Sequence, residues 1–112
     1  MKIVFATAFI LILGMQTASA QQVGVSGRDT PVNLDSSDFR KYELTQSRSI
    51  RNIYYDSANR YLVYQIRRIY YQRCDVPPEV VEEWIQTDSA DSYLKQKIDD
   101  RYECRDTNTP TY

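Results

Sequence analysis

The hydrophobic period of this chain changes once, at "CDVPP", residues 74–78, and a chain that changes period there is built as a sheet followed by helices. Upstream, Leu62, Tyr64 and Ile66 share one face of an alternating run over 60–66, and Tyr61, Val63 and Gln65 share the other. "SIRNIYY", residues 49–55, is rich in Ile and Tyr and stops at the turn formers "DSAN", so these two runs make a hairpin. "RIYYQRC" is again strand-like. The Arg67-Arg68 step before its apolar residues carries no Gly, Asn, Asp or Pro, and pattern alone leaves open one long bent strand from Arg60 to Arg73. Downstream, Pro77 and Pro78 end any strand because proline lacks the ladder donor, yet proline suits the first turn of a helix. Val80, Val81, Trp84 and Ile85 then recur at helical spacing and predict a helix over 78–86. After "TDSADS", Tyr93, Leu94, Ile98 and Tyr102 form the apolar stripe of a second, over 92–102.

The expected architecture is α+β: a three-stranded antiparallel meander followed by two short helices packed on one face. Leu62, Tyr64, Ile66, Val80, Val81, Trp84, Ile85, Leu94, Ile98 and Tyr102 are the expected core. The other sheet face is expected to stay open. Residues 21–46 are poor in large apolar side chains and read as a flexible leader, with "DSSDFRKYEL" undecided between a helical turn or two and none. Residues 106–112 read as a frayed, disordered tail.

Lys2, an apolar stretch from Ile3 to about Met15, and "ASA" ending at Ala20 have the layout of a secretory signal peptide over residues 1–20. The apolar run is short for a bilayer, and no second one follows, so no membrane span is expected once the signal is removed. A secreted or periplasmic bacterial protein is the expectation. The remaining chain, about 92 residues, lies near the lower limit for a self-sufficient core. Cys74 and Cys104 are the only cysteines, and an even count in an exported chain predicts a disulfide. Closing a loop of that length restricts the unfolded chain by about 3.6 kcal/mol in the entropy model.

Chemistry is sparse. There is no histidine, the commonest general base and metal ligand, and paired cysteines leave no thiol nucleophile. Glu82-Glu83 and Asp99-Asp100 are neighbours that point in different directions on a helix, and a solvated face explains them. With three glycines in all, no phosphate loop is available. No enzyme activity and no cofactor or metal are expected.

Charge is nearly balanced overall but divided along the chain: from Arg40 to Arg73 eight Lys/Arg face two acids, and from Cys74 onward four face ten. Tyr and Arg interleave over the basic half. Aromatic rings and guanidinium groups on one sheet face are the side chains that partners most often bury against, and also those that stack bases and hold phosphates.

The stretch from Ser47 to Cys104 resembles the KTSC domain, a module of about 60 residues named for its occurrence at the C-terminus of some lysyl-tRNA synthetases. The residues that carry the resemblance are Ser47 and Ile50, Tyr55-Asp56, Leu62 to Ile66, Val76-Pro77, Ser89 to Tyr93, and Ile98 with Tyr102. The chain departs from the family at three points. A paired Tyr-x-Tyr before Val-Pro is replaced by Tyr71 and Arg73, the usual hairpin glycine gives way to Arg67-Arg68, and Asp91 and Leu94 stand where a small residue and an aromatic are usual. The family's function is unknown, and its synthetase association implies RNA binding. Residues 47–105 are thus expected to form a KTSC-like domain. The expected role is a small exported, non-catalytic binding module for a protein or glycan, its contact face made of Arg51, Tyr61, Arg67, Arg68, Tyr71 and Arg73. RNA or other nucleic-acid binding through the same face is the alternative.

Overall fold

A computed structural model describes residues 22–112; the expected signal segment, residues 1–20, lies outside the described residues. The chain first forms a two-stranded antiparallel ribbon, β1 (Gln22–Val23) with β2 (Val32–Asn33). A four-stranded antiparallel meander follows: β3 (Arg40–Glu43), β4 (Ile50–Asp56), β5 (Tyr61–Ile66) and β6 (Ile69–Arg73), hydrogen-bonded in that order. Helix α1 (Pro78–Gln86) and a short helix α2 (Ala90–Tyr93) come next, and α2 runs into a π-helical turn at Leu94–Ile98.

Register sorts the side chains into two faces. Tyr42, Ile53, Tyr64 and Tyr71 lie opposite one another across the four strands, as do Arg40, Tyr55, Leu62 and Arg73, and these two rows face the helices. Lys41, Tyr54, Val63 and Gln72 form a row on the second face. Because a strand alternates, the helix face receives Leu62 and Tyr64, and the second face receives Tyr61 and Val63.

On the helix face, Val81 and Trp84 of α1 and Leu94 and Ile98 beyond it are buried against Ile53, Tyr55, Leu62 and Tyr64. Ile66, Val80, Ile85 and Tyr102 pack around them half-buried, so all ten expected core residues belong to this cluster. The Trp84 indole N–H donates to the Ala90 carbonyl at 3.0 Å, which ties the two helices together. Pro78 opens α1 where its missing N–H has no intrahelical partner to lose, and Glu79 sits at the favoured end of the dipole.

Three expectations are corrected. The meander has four strands rather than three, because Arg40–Glu43, within the undecided stretch, adds an edge strand to β4. The second helix stops at Ile98 rather than Tyr102. Asp99 N–H donates to the Leu94 carbonyl at 2.7 Å, the wide closure of a π turn, and Asp100 and Tyr102 take positive φ, 62° and 57°. That reversal delivers the Tyr102 carbonyl to Cys74 N–H at 2.8 Å and brings Cys104 onto Cys74 as a disulfide with Cα atoms 4.9 Å apart. Finally, of the segments 21–46 and 106–112 expected as flexible ends, residues 22–39 and the end of the chain at Tyr112 cover the second sheet face. Val25, Val32 and Leu34 are buried there with Tyr54, Tyr61, Val63 and Cys74, and Val23, Phe39 and Tyr70 pack around them.

Candidate functional site

The six residues expected to share one open face do not come together. Tyr61 is 0% exposed, beneath the ribbon. Its hydroxyl donates to Gln72 Oε1 at 2.7 Å and accepts from Arg28 Nη1 at 3.3 Å. Gln72 in turn donates through Nε2 to the Gly27 carbonyl at 3.3 Å, and Gly27 supplies the left-handed backbone, φ 89°, that this close approach of the leader uses. Burial holds the Tyr61 phenol above its ordinary pKa although Arg28 pulls the other way. Tyr61 is therefore a satisfied core tyrosine.

Tyr71 and Arg73 point to the opposite, helix-bearing face. Tyr71 stacks on Tyr64 with ring centroids 5.6 Å apart, and the Arg73 guanidinium lies 5.9 Å from the Tyr64 ring centre. Arg73 also reaches Asp99 at 3.0 Å and the Gln72 carbonyl at 2.8 Å, so it fastens the end of the π turn to the last strand. Burial pushes the Tyr64 phenol up to about 12.

Arg51, Arg67 and Arg68 remain exposed, and the fold gathers them at one end of the sheet. That end holds the β3–β4 loop and the β5–β6 turn. Ile50 pairs with Ile66, and Arg67 N–H donates to the Ser49 carbonyl at 3.3 Å, which sets the turn against the loop. The turn itself is two residues long, with Arg67 at φ 57°, a conformation that glycine adopts freely and a side chain adopts at a cost. Lys41 and Arg48 join the cluster: they line a groove of about 420 Å³ with Arg51, Asn52, Ser47 and Glu43. Beside the turn Ile69 is 51% exposed, the most exposed large apolar side chain among the described residues. The four arginines Arg48, Arg51, Arg67 and Arg68 make no ion pair among the described residues. The nearby acid Asp91 is engaged by Ser47 and Ser49, whose hydroxyls donate to it at 2.5 and 3.4 Å. Sequence reasoning found three of these cations and missed Lys41, Arg48 and Ile69, because their proximity depends on the edge strand β3 and on the tight β5–β6 turn.

The opposite end of the sheet holds the one buried carboxylate among the described residues, Asp56, 2% exposed. It accepts from Ala58 N–H, Asn59 N–H and Asn59 Nδ2 at 3.1, 3.2 and 2.8 Å, and from the Tyr112 hydroxyl at 2.6 Å. Burial alone would raise this carboxyl, but the hydrogen bonds outweigh it and the net shift is downward. The Tyr112 phenol is pushed up by burial and by its bond to the carboxylate. Tyr112 rests on Phe39 and Tyr61 at ring distances of 5.1 and 5.6 Å, and Arg28 approaches both tyrosine rings. A buried acid with every neighbour committed to holding the β4–β5 turn is a structural anchor. Among the described residues no three His, Cys, Asp or Glu side chains converge as a metal site.

With this geometry in place, the sequence model of the KTSC domain matches residues 46–102, just over half of the chain. The chain belongs to the KTSC domain family. No curated protein and no solved structure matches it significantly. The matched KTSC segment contains β4 to β6, both helices and the π turn, together with Arg48, Arg51, Arg67 and Arg68. The ribbon, edge strand β3, Cys104 and the Tyr112 clasp lie outside it. The segments that cover the second face thus lie outside the matched KTSC segment.

Proposed function

We propose that the protein is a small exported, non-catalytic binding module whose contact surface is the basic end of the sheet. Arg48, Arg51, Arg67 and Arg68, with Lys41 and the exposed Ile69, would meet an acidic protein or glycan. The observation that carries this reading is the gathering at one end of the sheet of four guanidinium groups that make no ion pair among the described residues, two of them, Arg48 and Arg51, lining one groove, beside an exposed apolar side chain. Arginine next to an apolar anchor is a combination that partners bury with large energetic effect. The disulfide, and the absence of any long apolar helix among the described residues, accord with export.

Nucleic-acid binding fits this surface less well, since the tyrosines that would stack bases, Tyr54 and Tyr61, are buried under the ribbon. Replacing Arg67 and Arg68 together by Ala tests the proposal. Recovery of partner from the exterior fraction should fall while stability changes by no more than about 0.5 kcal/mol. Unchanged recovery contradicts the assignment. A complex that dissociates steeply with rising salt and is destroyed by nuclease favours the alternative.

A further inference from the structure

The edge of β3 carries a second interaction surface, which adjoins the basic end and shares Lys41 with it. β3 pairs with β4 on one side, and among the described residues no strand pairs with its other side. Leu44 N–H donates to the Arg51 carbonyl at 3.3 Å, outside a register in which Tyr42 faces Ile53 and Arg40 faces Tyr55. In an antiparallel pair the backbone groups alternate in direction, so Arg40, Tyr42 and Leu44 turn theirs toward β4. Lys41 and Glu43 must then turn their N–H and C=O groups outward. Neither has a backbone partner among the described hydrogen bonds.

An unpaired edge is a template for another strand, and its alternation limits which registers are allowed. A second copy of β3 arriving antiparallel across a two-fold axis must match outward-bonding residues with outward-bonding residues. Three registers meet that condition over these four residues. Centring on Lys41 sets lysine against lysine, and centring on Glu43 sets glutamate against glutamate. Centring on Tyr42 sets Lys41 against Glu43 of the partner copy, twice by symmetry, on one face of the joined sheet. On the other face Tyr42 meets its own symmetry mate, with the Arg40 guanidinium 5.5 Å from the Tyr42 ring centre. Opposite charges directly across a strand pair are favourable and like charges are not. The sequence of this edge therefore selects one register and disfavours its two neighbours. Lys41 and Glu43 are exposed, so nothing in the fold hides them from a partner.

We infer that the protein self-associates through β3, pairing antiparallel about Tyr42 to join two four-stranded sheets into one of eight strands. Isologous pairing of this kind is the commonest symmetry of soluble oligomers, and it satisfies the outward groups of Lys41 and Glu43 in both copies at once.

Sedimentation equilibrium of the oxidised chain at low salt, from micromolar to millimolar concentration, tests this with a charge swap. The wild type should dimerise. Lys41→Glu and Glu43→Lys should each weaken the dimer by about ten-fold or more, because each sets like charges opposite one another at both symmetric positions. The double variant Lys41→Glu with Glu43→Lys should dimerise again, and an equimolar mixture of the two single variants should form a heterodimer. Thermal unfolding of each variant confirms that the fold is intact. A wild type that stays monomeric throughout overturns the inference, as do single variants that associate as well as wild type or a double variant that fails to recover.

Discussion

The two faces of the meander differ in how their covers are made. The helix face is covered by long-period elements, α1 and the α2–π segment, whose Val81, Trp84, Leu94 and Ile98 recur at the spacing a helix demands. The second face is covered by a ribbon of two-residue strands and by residues near Tyr112, with Val23, Val25, Val32, Leu34 and Phe39 scattered among Gly, Ser, Asp and Pro. One cover is regular and announces itself by periodicity. The other is irregular, and its stability rests on a few apolar contacts, hydrogen bonds from Arg28 and Gln72, and the Tyr112 clasp on Asp56.

If both faces are true cores, truncating a central aromatic on either should cost a similar amount. Trp84→Ala and Tyr61→Ala should each destabilise by about 3 to 5 kcal/mol in denaturant unfolding. A Tyr61→Ala loss below about 1 kcal/mol would separate the faces and make the second one an open surface. The clasp is expected to have the next largest effect. Asp56→Asn removes the charge that four donors converge on and should cost about 1 to 3 kcal/mol. The pH dependence follows from the direction of its shift: the folded pKa lies below the unfolded one, so the stabilisation is complete above the ordinary Asp value of about 4 and is lost as pH falls through the folded pKa. An acid-unfolding series should show a shallower acid limb in Asp56→Asn than in wild type. The smallest effect is a gain. Arg67→Gly places at φ 57° the residue that adopts it most freely and should stabilise by about 1 kcal/mol, a rise in Tm of roughly 4 to 8 °C. A fall instead would mean that Arg67 contributes contacts the strain argument leaves out.

How far each part was legible follows from the same contrast. The helix-face core could be read because Leu62, Tyr64 and Ile66 keep a period of two and Val80, Val81, Trp84 and Ile85 keep a helical one, and α1 starts at its proline, Pro78. The Cys74–Cys104 bridge followed from counting cysteines. The cover of Tyr61 was not legible, since Val25, Val32 and Leu34 are too sparse to form a periodic signal and find their place only against the finished sheet. Nor could alternation place Tyr71 and Arg73 beside Tyr61, because the two-residue turn at Arg67-Arg68 fixes their parity and puts them on the other face. The basic end was half legible: Arg51, Arg67 and Arg68 stood out by composition, while Arg48, Lys41 and Ile69 joined them only through strand pairing.

The central claim is that the second face of the meander is a closed core under the leader. Nuclear Overhauser spectroscopy of the oxidised chain tests it most directly. Cross-peaks are expected between the ring protons of Phe39 and Tyr61, whose centroids lie 6.2 Å apart, and between the Val32 methyls and the residues buried with it. Random-coil shifts for residues 22–39, with no cross-peak from them to Tyr61 or Val63, would contradict the account.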